Sequence, residues 1–280
     1  MSIFRSGLFK DKVAIVTGGG TGIGKAISEE LLVLGARVVI ASRNQDKVAD
    51  AAKELCKLGD VTSFRCNIRK EEDVKTLVKN TLDKYGRIDY LVNNGGGQFP
   101  CPAADMSLKG WNAVIETNLT GTYLMSREVY NQYFKDHGGV VVNIIADMFR
   151  GFPMMSHTGA ARAGVENITK SFAIEWAEQG VRVNCIAPGS TIYSPTAAAN
   201  YSTEFAPFEH SRPGVPSKRL GTTQEVSSAV CFLLSPGSQF ISGATLRVDG
   251  GGSLYSPLMW KIDEHKNIPS YSWDPYKSKL

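Results

Sequence analysis

The sequence has no cysteine pair at metal-site spacing. Its five cysteines, Cys56, Cys66, Cys101, Cys185 and Cys231, are odd in number and form no C-x-x-C. They read as reduced thiols and exclude a disulfide framework or a zinc ribbon. His137, His157, His210 and His265 are dispersed and indicate no metal site. No apolar run approaches the roughly 18–20 residues of a membrane span, and Met1 to Ser6 lacks a secretory hydrophobic stretch. The 31 Lys and Arg are scattered and nearly offset by 27 Asp and Glu, leaving a net charge of +4. Without basic blocks, no nucleic-acid stripe is expected. No repeat or low-complexity linker divides the 280 residues, of which 42% are hydrophobic, so one large core is expected.

What is present is a glycine turn in a specific context. Thr17-Gly18-Gly19-Gly20-Thr21-Gly22-Ile23-Gly24 follows the apolar run Val13 to Val16 and opens an amphipathic segment, Lys25 to Leu34. A second apolar run, Arg37 to Ala41, completes a β-α-β unit. Glycines allow the tight turn and the close approach of a pyrophosphate. The helix start supplies free N–H groups and a partial positive charge to that anion. Arg43 lies 19 residues after Gly24, where an NAD site places an acid. Ser42 and Arg43 instead suit a 2′-phosphate, with paired charge-assisted bonds from the guanidinium.

Strand-like and helix-like segments alternate along the chain. Helices are expected at about 45–57, 70–85, 107–114, 119–135, 159–178 and 224–234, and further strands at about 61–66, 89–92, 139–145, 181–186 and 245–248. The strands are continuous apolar runs, as in a parallel sheet covered on both faces. The pattern predicts a single α/β domain with a doubly wound parallel sheet of about seven strands. The longest irregular stretch, about 190–222, carries Tyr193, Tyr201, Phe205 and Phe208 and suits a substrate lid. The chain ends in Ser278-Lys279-Leu280, an address for the peroxisomal import receptor. The expected organisation is a domain over 1–252 and an extension over 253–280.

These motifs, in order, resemble the short-chain dehydrogenase/reductase family. Thr17 to Gly24 matches its T-G-x-x-x-G-x-G, Asn93-Asn94-Gly95-Gly96 its N-N-x-G, and Asn118 its asparagine. Pro188-Gly189 follows the sixth strand and Asp249-Gly250-Gly251 the seventh. The resemblance covers roughly Lys10 to Gly252 and implies a Rossmann-type fold with a nicotinamide cofactor. It places Gly18, Gly20, Thr21, Gly22, Ile23, Gly24, Asn67, Ile68, Asn94, Gly95, Gly96, Pro188, Gly189 and Ile192 beside that cofactor. Asn67 is either an adenine contact or a turn cap.

The catalytic segment departs from the family pattern of a serine followed by Y-x-x-x-K. The frame Ala163-Gly164-Val165 puts Arg162 at the lysine and Thr158 at the tyrosine, and the serine region reads Ala146-Asp147-Met148. Carbonyl reduction needs a proton donor tuned by a nearby cation. Threonine is a poor acid and Arg162 holds its proton. Hydride addition to an enoyl thioester instead develops charge on the thioester oxygen, which needs only hydrogen-bond donors. The departure therefore favours C=C over C=O reduction. The segments Asn93 to Phe99 and His157 to Val165 are similar to trans-2-enoyl-CoA reductases of peroxisomes, with 2,4-dienoyl-CoA reductases next. That similarity implies NADPH, a fatty enoyl-CoA substrate and a homodimer or homotetramer. Thr158 is either a donor to the thioester oxygen or a helix N-cap; Arg162 is a cofactor-ribose contact or an exposed arginine. Asn118, Asp147 and Tyr193 complete the catalytic candidates, with Asp147 or Tyr193 as alternative acids. Arg150, Lys218 and Arg219 are candidates for CoA.

Overall fold

The computed structural model describes residues 2–199, 207–254 and 271. Ser278, Lys279 and Leu280, and Tyr201 and Phe205 of the expected lid, lie outside the described residues. The strands are β1 (Val13–Thr17), β2 (Arg37–Ser42), β3 (Val61–Arg65), β4 (Tyr90–Asn93), β5 (Gly139–Ile144), β6 (Val181–Pro188) and β7 (Thr245–Val248). All pair in parallel, in the order β3-β2-β1-β4-β5-β6-β7. The chain winds outward to β3 and then returns to the other side of β1. That reversal opens a crevice beyond the carboxyl ends of β1 and β4, the place where such sheets bind ligands.

Continuous apolar strands follow from burial on both faces. In β1 and β2, Ala14, Val16, Val38 and Ile40 pack on one side with Ile27 and Leu31 of α1 (Gly22–Val33) and Val48 of α2 (Gln45–Leu55). Ile15, Val39 and Ala41 point to the other side, against Val74, Leu77 and Val78 of α3 (Glu71–Tyr85). Each fully buried Val, Leu or Ile contributes about 1.5–3 kcal/mol. No helix among the described residues is long and apolar enough to cross a membrane.

The two helices expected at 107–114 and 119–135 are one uninterrupted helical run. It comprises α4 (Leu108–Ile115), a π-helical turn (Glu116–Thr120), α5 (Gly121–Val129), a second π turn (Tyr130–Phe134) and α6 (Lys135–His137). Helix α7 (Ser156–Glu175) starts three residues before the expected Gly159, which moves Thr158 inside it. Val165 and Phe172 of this helix are buried, and Trp176, just beyond its end, stacks on Tyr130. Among its described residues the expected lid holds the short helices α8 (Pro195–Ala198) and α9 (Pro207–Ser211) and a 3-10 turn at Arg212–Gly214, and a bridge between Ile192 and Gly221 closes its base. Helix α10 (Thr223–Leu234) follows, with Thr222 and Glu225 forming a capping box.

A buried polar chain runs under the crevice. Asn93 donates to Ser126 and to Asn143, both at 2.9 Å; Asn143 donates to Thr169 at 2.8 Å, and Thr169 meets Cys185 at 3.1 Å. It ties α5 through β4 and β5 to α7, so the helices that flank the crevice cannot slide independently.

Candidate active site

The glycine turn is fastened to the loop after β4. Thr17 Oγ1 accepts the amides of Asn94 and Gly95 at 3.0 and 2.9 Å. The Asn94 side-chain amide donates to the carbonyls of Thr17 and Gly18 at 3.0 and 3.3 Å. Gly18 sits at φ +65°, a left-handed conformation that glycine adopts without strain. A Cβ on Gly24 would overlap the Gly18 carbonyl and the Asn94 side chain. Thr21 caps α1 without a side-chain bond, and the first turn of α1 carries no acid. Its amides are therefore left for an anion from outside. Ser194, beyond β6, comes within reach of Gly22, bringing the lid base over the turn.

At the end of β2, Arg43 is exposed and has no hydrogen bond or ion pair among the described residues. Ser42 beside it is half-buried. Asn67 Oδ1 accepts the Arg69 amide at 3.3 Å, the turn-capping role, and the Asn67 backbone amide donates to the Asp73 carboxylate at 3.0 Å. Ile68 is buried against Gly121, where a Cβ would stand 2.7 Å from its side chain. The four residues thus gather at the β2–β3 side of the crevice.

On the other side, the 94–101 loop crosses the first turns of α7. Asn118, fully buried in the first π turn, clamps Gly97 twice: it accepts the Gly97 amide at 2.9 Å and donates to the Gly97 carbonyl at 3.0 Å. A Cβ on Gly96 would overlap the Arg162 guanidinium. Arg162 is 9% exposed, so it is not a solvated helix arginine. Its Nη1 donates to the Ile144 carbonyl, and its Nε has no partner among the described residues. Burial lowers its pKa, yet a guanidinium stays cationic at neutral pH. Thr158 is the third residue of α7; Met155 caps the helix. The N-cap reading of Thr158 is thereby excluded, and its Oγ1 is buried without a partner among the described residues.

The remaining candidates lie at the β6–β7 end. Asp147 donates its amide to the Pro188 carbonyl at 3.0 Å. Burial and the nearby Asp249 charge raise its carboxyl pKa, opposed by Arg150 and Arg247. Gly189 is needed for packing: a Cβ there would lie 2.8 Å from Asp249 Cα. Ile192 is buried and Tyr193 exposed, its ring edge-on to Phe208 at 5.4 Å. The arginines and lysine considered for CoA all have protein partners. Arg150 donates to the Gly252 carbonyl, Lys218 to the Pro213 carbonyl, and Arg219 pairs with Glu225 at 2.6 Å. Sequence reasoning had not assigned Thr17 its fastening role or His157 its burial; the first was legible in the T-G motif and the second carried no signal.

Together, a glycine cradle that a Cβ would fill, a helix start without an internal anion and a buried cation with an unused donor fit a dinucleotide. Fold and site define a nicotinamide-dependent α/β oxidoreductase. A family model described as Enoyl-(Acyl carrier protein) reductase matches residues 18–253. The chain belongs to the short-chain dehydrogenase/reductase family. It is 40% identical over 262 residues to the peroxisomal 2,4-dienoyl-CoA reductase, (3E)-enoyl-CoA-producing, of Danio rerio, covering 91% of this chain and 85% of that protein. It is 30% identical over 253 residues to the peroxisomal 2,4-dienoyl-CoA reductase of Saccharomyces cerevisiae, covering 89% and 86%. Among solved structures, the citronellol catabolism dehydrogenase of Pseudomonas aeruginosa superposes with a TM-score of 0.81 at 48% identity, covering 90% of this chain and 99% of that one.

Two outcomes follow from this geometry. Gly24→Ala forces the turn away from Asn94 and lowers stability by about 1–3 kcal/mol, read by urea denaturation, with loss of dinucleotide binding. For Asp147, the folded state holds the proton more tightly than the unfolded chain, so its ionisation withdraws stability as pH rises through the raised pKa. Asp147→Asn therefore melts higher than the parent at pH 8, and the difference shrinks as pH falls into the carboxylate range.

Proposed function

We propose that this protein reduces the 2,3 double bond of trans-2-enoyl-CoA thioesters with NADPH, giving saturated acyl-CoA. One observation carries the reading. At the two positions where family carbonyl reductases carry tyrosine and lysine, a buried hydroxyl without a partner among the described residues stands one helical turn before a buried guanidinium. Such a pair donates hydrogen bonds but passes no proton on, which suits a reaction whose final proton ends on carbon.

A reduced nicotinamide, when bound, would supply the hydride that adds to Cβ of the substrate. The glycine turn and the α1 amides hold the pyrophosphate, and Arg43 and Ser42 take the 2′-phosphate. Arg162, fixed to the Ile144 carbonyl, would hold the nicotinamide ribose and keeps a permanent positive field. Asn118 fixes the Gly97 backbone, which would line the nicotinamide end of the crevice. Thr158 Oγ1 donates to the thioester oxygen as it gains negative charge, and donors preorganised in this way act without rearranging. The described parts of the expected lid, 190–199 and 207–222, would cover the acyl chain. By the family resemblance, α5 and α7 would join two copies of this chain, making a homodimer or homotetramer. The peroxisomal names of the relatives support a peroxisomal location.

The names of the relatives favour a second reading, reduction of 2,4-dienoyl-CoA. The deciding measurement is NADPH oxidation with trans-2-decenoyl-CoA and with 2,4-decadienoyl-CoA, each product identified by mass. Decanoyl-CoA from the monoene establishes 2-enoyl reduction; turnover of the diene alone establishes the second reading. Rapid turnover of a ketone or β-ketoacyl-CoA would overturn both. Arg43→Ala is expected to raise KM for NADPH about 10–100-fold, the range of one lost charge-assisted contact, while kinetics with NADH change little.

A further inference from the structure

We infer that His157 is a second donor to the acyl-thioester oxygen, forming with Thr158 a two-donor cradle; the inference rests on the enoyl-thioester reading. His157 is fully buried at the second position of α7. Its Nδ1 accepts the Thr158 amide at 2.8 Å. In a neutral imidazole an accepting Nδ1 leaves the proton on Nε2. The ring is held edge-to-face against Phe99, with centroids 4.6 Å apart and planes at 89°. Nε2 is thus a donor in a fixed place, and it has no partner among the described residues.

It does not stand alone. Thr158 Oγ1 and Arg162 Nε, on the same two turns, are also buried without partners among the described residues. Leaving one buried donor unmade costs about 1–3 kcal/mol, and native proteins leave few. Elsewhere on α7 the same residue type is satisfied: Thr169 donates to the Val165 carbonyl at 2.8 Å. A histidine present only to fill space against Phe99 has no need of this tautomer, and a phenylalanine would fill that space without an unmade bond. His157 Nε2 is held in place by the Thr158 amide and the Phe99 ring, and Thr158 Oγ1 is the next residue's donor; together they would serve an oxygen that gains negative charge.

The chemistry assigns each donor its part. As hydride bonds to Cβ, the C2=C3 pair moves to form C1=C2, and the carbonyl pair moves onto oxygen, giving an enolate. The His157 Nε2–H and Thr158 Oγ1–H donate to that oxygen, and neither bond breaks. When the enolate collapses, its C1=C2 pair takes a proton at C2 from solvent water. His157 is not that acid, because losing the Nε2 proton would leave an imidazolate. It serves as a neutral electrophile.

The test compares the parent with His157→Phe, which keeps a ring on Phe99 and removes the donor, and His157→Gln, whose side-chain amide restores one. With trans-2-decenoyl-CoA, kcat of His157→Phe is expected to fall about 100–1,000-fold, with NADPH affinity unchanged, and His157→Gln to recover at least ~10-fold of that loss. In complexes with NADP+, the infrared carbonyl band of bound trans-2-decenoyl-CoA is expected at lower frequency in the parent than in His157→Phe. A kcat within about threefold of the parent, or an unchanged carbonyl band, overturns the inference. If the parent reduces no enoyl-CoA, the functional reading falls, yet the carbonyl band still decides whether His157 donates. A parent whose bound thioester shows no lowered band overturns the cradle outright. Should His157→Phe fail to fold, His157→Asn takes its place with the same readouts.

Discussion

The site depends on the hydrogen bonds that fasten the end of β1 to the loop after β4. Thr17 Oγ1 takes two amides from that loop, and Asn94 returns its side-chain amide to two carbonyls of the turn. These bonds close the switch point of the sheet from within. They leave so little room that Gly24 must lack a Cβ. They also start the 94–101 loop in a fixed direction, toward α7. Asn118 then holds Gly97, Gly96 admits the Arg162 guanidinium, and Phe99 stands on His157. A single loop therefore relates the pyrophosphate end of the crevice to the end where the acyl oxygen would lie.

Much of this was legible in the sequence, for physical reasons that differ from element to element. The strands were legible because both faces of a parallel sheet are buried, so Val13 to Val16 and Val38 to Ala41 must be apolar without alternation. The glycine turn was legible because its steric demand leaves a residue-by-residue imprint. The start of α7 was not. Met155 caps it without a side-chain bond, so no polar residue marks the boundary, and Thr158 itself looks like a cap. The continuity of the helix from Leu108 to His137 was also hidden, because a π turn changes hydrogen-bond register without changing composition. His157 was hidden most fully. Its orientation is set by Phe99, which is distant in sequence, and by a bond to its own neighbour's amide.

The exchange of a lysine for Arg162 has a structural logic. An ammonium is a compact charge whose pKa moves readily when buried, which is why it can serve in proton relays. The guanidinium here is divided: Nη1 is spent on the Ile144 carbonyl, Nη2 faces the Gly96 backbone, and Nε has no partner among the described residues. Its charge survives burial, so the site keeps a fixed field and gives up the capacity to relay. A hydroxyl beside it is then no longer an activated acid. The neighbouring groups left in the first turn of α7 are donors that hold their protons. Such a set stabilises negative charge on an oxygen but delivers no proton to it. That division suits a substrate whose oxygen carries charge only in passing, and whose last proton goes to carbon.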